Sequence, residues 1–162
     1  MSVQKKPKPR ASPQKQIDSF LAKYTPKMQK LARAALAKMR KRLPNAVEMV
    51  YDNYNALVFG FSPNERPSDA IFSIALYPDH AALCFLQGAK LPDPHKRLRG
   101  SGRTVRNVRV DDASVLDDPP IVALTNEALA RAKVRMNPKQ TRKLVIRSFS
   151  AKQRPRRPVR ED

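Results

Sequence analysis

Residues 46–86 constrain the fold more than any other part of the chain. They hold four short runs that read as β-strands: Ala46–Tyr51, Asn55–Phe61, Ala70–Tyr77 and His80–Leu86. The links between them, such as the loop SPNERPSD and the tight turn Pro78-Asp79, are too short for a crossover helix, so an antiparallel meander is expected. In the third run Phe72, Ile74 and Leu76 fall on one side of the strand, with Ser73, Ala75 and Tyr77 on the other. In the fourth, His80, Ala82 and Cys84 are smaller than Leu83 and Phe85. One sheet face is therefore expected to pack against helices, and the other to be flatter and more polar. A fifth strand, Thr104–Val110, follows an irregular stretch in which Leu91-Pro92-Asp93-Pro94 cannot be a central strand.

Helical patterns flank the strands. Ile17, Phe20 and Leu21 mark a short amphipathic helix. Thr25-Pro26 opens a longer one, since Thr caps well and Pro is tolerated in the first turn. Met28, Leu31, Ala32, Ala35, Met39 and Leu43 recur at helical spacing, and Pro44 ends the pattern. Asp118-Pro119-Pro120 starts the last helix, with Ile121, Leu124, Ala128, Leu129 and Ala132 as its apolar stripe. The resulting fold class is α+β: an antiparallel sheet of about five strands packed on one face by N-terminal and C-terminal helices.

The chain carries 33 Lys and Arg against 14 Asp and Glu, a formal charge of +19. Much of the excess sits at the ends. Residues 1–15 hold five cations and no acid, and residues 137–162 hold nine cations and two acids. The expected division is a disordered basic tail over 1–15, a domain over 16–136, and a basic, largely disordered extension over 137–162. Within that extension the patch Leu144 to Ile146 can dock as an edge strand. Arg154, Arg156, Arg157 and Arg160 are candidate contacts for nucleic acid. Such binding is expected to be weak and indifferent to sequence, because the tail lacks aromatic side chains on which bases stack.

The single cysteine, Cys84, excludes a disulfide within the chain and suits a reducing compartment. The first residues lack the apolar core of a secretory signal. No apolar run approaches the ~18 residues that cross a bilayer. A cytoplasmic protein with no membrane partner is the expectation.

Several residues form an ordered pattern. Ile17-Asp18-x-Phe20-Leu21 opens it, Val50-Tyr51-Asp52-Asn53-Tyr54 follows, and His-x-x-Leu-x-Phe-x-x-Gly-x-x-Leu-x-Asp-Pro runs from His80 to Pro94. Leu98, Gly100, Gly102 and Arg106 continue it. From about Ile17 to Met136 the chain resembles the YdhG-like family, a bacterial domain of unknown function. The resemblance implies an α+β domain and says little about activity. One branch of that family is described as a frataxin-like intracellular iron chaperone. Iron binding of that type uses an acidic first helix, whose carboxylates suit a hard cation. Here Asp18 is the only acid between residues 1 and 47, which disfavours an iron role.

No catalytic constellation can be assembled from spacing, so an enzyme is not expected, and no cofactor or metal is implied. The two histidines lie fifteen residues apart. His80 is expected to cap a hairpin through a backbone hydrogen bond, and His95 to be solvated. Cys84 reads as a buried, inert thiol. Asp111-Asp112 and Asp117-Asp118 read as helix caps. Gly100-Ser101-Gly102-Arg103 is followed by a strand rather than a helix, so it reads first as a turn and second as an anion cradle, with six cations between Lys96 and Arg109. Tyr51, Asn53, Tyr54, Tyr77 and His80, rimmed by Arg106, form a candidate shallow site on the flatter face. The expected function is a non-catalytic binding module for a small anion or a protein partner. Weak nucleic-acid binding through the tails and iron handling are the alternatives.

Overall fold

The alternation in residues 46–86 becomes four antiparallel strands: β1 (Val47–Asp52), β2 (Leu57–Ser62), β3 (Phe72–Leu76) and β4 (Ala81–Phe85). A computed structural model describes residues 11–159 of the chain, and β5 (Arg106–Val110) continues the meander beside β4. Phe72, Ile74 and Leu76 face the helices, as their spacing predicts, together with Leu57, Phe59, Leu83 and Phe85. All are at most 1% exposed. Burying each such side chain contributes about 1.5–3 kcal/mol. The Phe72 and Phe85 rings meet edge to face with centroids 5.6 Å apart.

Helices α1 (Pro13–Leu21), α2 (Pro26–Arg42) and α3 (Pro119–Arg131) supply the other half of this core. Each begins with Pro in its first turn. The Ser12 hydroxyl accepts from Lys15 N at 3.3 Å and the Thr25 hydroxyl from Met28 N at 3.3 Å, which caps α1 and α2. Met28, Ala32, Ala35, Leu36 and Met39 form the buried stripe of α2. Tyr24, between α1 and α2, is fully buried, and its hydroxyl donates to Leu76 O at 2.8 Å. Burial pushes its ionisation up to about 12. No described helix is long and apolar enough to cross a membrane.

Three expectations need correction. First, the sheet has six strands and is mixed. The order is β5-β4-β3-β2-β1-β6, and β6 (Lys143–Phe149) runs parallel to β1. The Leu144–Ile146 patch does dock at an edge, and the chain reaches that edge by crossing from the far side of the sheet. Second, the extension over 137–159 is folded rather than largely disordered; the last three residues lie outside the described ones. Third, α1 starts at Pro13, inside the segment expected to be disordered, while the rest of that expectation, residues 1–10, lies outside the described residues.

The extension folds because β1 presents two carboxylates to the helix side of the sheet. Glu48 and Asp52 flank Val50 and are each 1% exposed. An unpaired buried carboxylate costs several kcal/mol, so each must meet cations. Arg40 forks onto Glu48 at 2.9 and 2.7 Å, and Arg142 approaches it at 3.5 Å. Lys23 reaches Asp52 at 2.7 Å and Arg156 reaches it at 3.0 Å. Residues from the supposed tail thus complete charge pairs of the core.

Candidate functional site

Three segments converge at one end of the helix face. β4 ends at Phe85, and a 3₁₀ turn over Gly88–Lys90 follows. Only glycine fits at Gly88, since a Cβ there would lie 2.6 Å from Arg106 Cβ. Ala89 N donates to Thr104 O at 2.9 Å, which ties the turn to the loop before β5. A second 3₁₀ turn, Pro67–Asp69, leads into β3. At the third corner, Ala132 leaves α3 with extended ψ 132°, so Lys133 and Val134 depart from the helix axis. Between these segments lies a cleft of about 480 Å³.

Its floor is apolar: Ile71, Phe85, Leu91 and Ala128 line it. Its lining carries both charges: Lys90, Arg131 and Lys133, and the carboxylate Asp69. Arg131 donates through Nε to Glu127 at 2.6 Å and through Nη1 to Lys90 O at 3.1 Å. That leaves its Nη2 without a partner among the described residues. Lys90 and Lys133 form no ion pair among those residues either. The volume matches small-ligand sites, in which an apolar floor takes the body of the ligand and a few polar groups fix its orientation. Three cations on one lining suit a carboxylate or phosphate.

The residues singled out from sequence do not form one site. Tyr51 lies in a cross-strand row with Val58, Ala75, Ala82 and Arg109 on the face away from the helices. Tyr77 and His80 follow at the β3–β4 hairpin, their rings stacked 4.8 Å apart. His80 steadies the hairpin through that stack and through Nδ1 against Asp79 at 2.7 Å, which holds the Asp79 carboxyl below its usual range. The backbone bond of this turn, Tyr77 N to His80 O, leaves the imidazole out. Gly60, Ser73, Ala75 and Ala82 on this face are small, and all four are buried. Burial pushes the Cys84 thiol up, so it is held in its less reactive form.

Arg106 stands on the opposite side from the tyrosines, in register with Phe85. Its Nη1 donates to Gly102 O at 2.6 Å and to Val105 O at 2.8 Å, so it closes the loop instead of rimming a ligand site. Gly100 has φ 123°, a conformation that suits glycine, whereas a Cβ on Gly102 would meet nothing within 4 Å. Arg103 is exposed on that loop. Asn53 and Tyr54 lie in the β1–β2 turn, where Asn53 O accepts from Arg156 and the Tyr54 ring faces Arg154 at 5.6 Å.

The tail arginines are engaged within the chain. Arg156 is 5% exposed. Arg157 donates to Lys23 O at 3.2 Å and Tyr24 O at 3.1 Å. Arg160 lies outside the described residues. Of the acidic pairs, Asp112 caps a short 3₁₀ turn through Ser114 N at 2.8 Å. The other three pair with cations: Asp111 with Arg109, Asp117 with Lys38 and Arg42, and Asp118 with Arg97. His95 lines a smaller cleft of about 200 Å³ among prolines. No group of three or more His, Cys, Asp or Glu is placed to share a metal among the described residues.

Sequence reasoning missed the main cleft because its lining comes from three separated stretches, 68–71, 85–91 and 128–134. Only the adjacency of cations and apolar residues at Lys90-Leu91 and Lys133-Val134 hinted at it. Compared with known proteins, the chain matches no family model, no curated protein and no solved structure.

Proposed function

We propose that this chain is a non-catalytic binding module of the YdhG-like kind, and that it takes a small amphipathic anion in the cleft at the end of α3. One observation carries this reading: Lys90, Arg131 and Lys133 stand together over an apolar floor, and both lysines lack an acidic partner among the described residues. Arg131 already has Glu127, so an anion would supply charge compensation chiefly to the two lysines. The apolar floor favours an anion with a flat or aliphatic body. The tail-driven nucleic-acid reading has less support, since Arg156 and Arg157 are occupied by contacts within the chain. Titration calorimetry with 1-naphthyl phosphate tests the proposal. Saturable binding is expected for the full chain, with affinity at least tenfold weaker in the double variant Lys90→Glu, Lys133→Glu. Equal affinity in that variant, or no saturable binding by the unmodified chain, overturns it.

A further inference from the structure

The cleft is not uniformly basic, and Asp69 on its lining restricts what it can hold. Asp69 faces the cavity from the 3₁₀ turn. One of its oxygens accepts from Asn64 Nδ2 at 3.0 Å, and the other has no partner among the described residues. An ionised carboxylate offers about four acceptor positions, so most of this one's capacity is unused. A simple organic anion seated over Ile71 and Phe85 would gain from Lys90 and Lys133 and lose by repulsion from Asp69. A ligand that suits the whole lining carries an anion for the cations, hydrogen-bond donors for Asp69 and a flat apolar body for Ile71 and Phe85. Ser68 and Gln87, also on the lining, add a hydroxyl and an amide that read the edge of such a body.

We propose that the occupant is a guanosine 5′-phosphate, with the phosphate on Lys90, Arg131 and Lys133 and the base edge on Asp69. This rests on the anion-cleft reading above and narrows its ligand class. Guanine is the common base whose Watson–Crick edge presents two adjacent donors, N1–H and the N2 amino group, to the paired oxygens of a carboxylate. Adenine and cytosine each set an acceptor beside their amino group, which a carboxylate repels. The same chemistry occurs in a free nucleotide and at the phosphorylated 5′ end of a single strand.

The test compares four probes on the full chain by titration calorimetry: GMP, IMP, 1-naphthyl phosphate and a 5′-phosphorylated tetranucleotide beginning with G. IMP lacks the N2 amino group and retains the phosphate. GMP is expected to bind at least tenfold more tightly than IMP or 1-naphthyl phosphate. Asp69→Asn should erase that preference without weakening 1-naphthyl phosphate, and Lys90→Glu with Lys133→Glu should weaken all four. Tighter binding of the tetranucleotide than of GMP assigns the site to strand ends, and the reverse order assigns it to the free nucleotide; either supports the proposal. If 1-naphthyl phosphate matches GMP and responds to the lysine changes, the nucleotide assignment falls and the anion cleft stands. If no probe binds, both fall. Asp69 is partly buried, and an unchanged melting curve for Asp69→Asn shows that the variant is folded.

Discussion

Asp52 and Arg156 meet where both are almost inaccessible to water. Their side chains are 1% and 3% exposed, and the Arg156 guanidinium also faces the Tyr24 ring at 5.9 Å. Removing one partner strands the other's charge in the interior. Asp52→Ala is therefore expected to destabilise the fold by about 3–5 kcal/mol, read as a lower urea midpoint at unchanged slope. The double variant Asp52→Leu, Arg156→Met removes both charges and should recover part of that loss. If the double variant is as unstable as the single, charge burial is not the cause. Gly88 sets a different limit, of space. Gly88→Ala puts a methyl 2.6 Å from Arg106 Cβ and 3.0 Å from Phe85 Cβ, and neither is a flexible end that can swing away. A loss of about 1–3 kcal/mol is expected by the same measurement. A neutral substitution there would show that the turn before Leu91 shifts freely.

At the level of elements, β6 does two things: it covers one edge of β1 and brings Arg142 to Glu48. A chain ending at residue 140 loses both, together with Arg156. It leaves β1 with unpaired backbone groups and Asp52 with Lys23 alone. Such a truncation is expected to melt at lower temperature and to self-associate in size-exclusion chromatography; a monomer with an unchanged melting curve would contradict that role. The meander was legible from sequence because period-2 alternation over Phe72–Leu76 and short turns leave few alternatives. The direction of β6 was not, because a three-residue apolar patch does not encode its neighbour. The burial of Arg156 was hidden for a related reason. RPRRPVR has the composition of a solvated tail, and its partner Asp52 stands 104 residues away in sequence. A clue did exist in β1, where Glu48 and Asp52 share a side with Val50 and so demand cations from elsewhere. For the site, Tyr51 and Tyr77 lie on one face, whereas Arg106, in register with Phe85, falls on the other, and its guanidinium donates to its own loop carbonyls.

For the molecule as a whole, the formal charge of +19 makes each carboxylate matter to stability. Hydrogen bonds hold the Asp18, Asp79, Asp112 and Asp117 carboxyls below their ordinary 3.8, from Gln14, His80, Ser114 and Lys38 respectively. A carboxyl lowered on folding binds fewer protons in the folded chain than in the unfolded one. Its contribution is fully present above the unfolded value and is lost as pH falls through the folded one. These four groups are exposed, so each effect is screened by solvent. Together with the growing positive charge, they predict a urea midpoint that is nearly flat from pH 7 to about 5 and falls below about pH 4. A midpoint that rises on acidification would contradict this arrangement.

The parallel pairing of β6 with β1 also sets an order of events during synthesis. The meander and the helices it packs against can associate once residue 131 has emerged from the ribosome, but the neighbour of β1 is translated later. Glu48 has Arg40 from the start, but its second cation lies 94 residues downstream. Until then the nascent domain carries an open strand edge and incompletely paired interior acids, the kind of surface that chaperones bind. Completion of the sheet is thereby tied to synthesis of residues 143–156, and a message cut short before Lys143 yields a product whose open strand edge is exposed to cellular proteolysis.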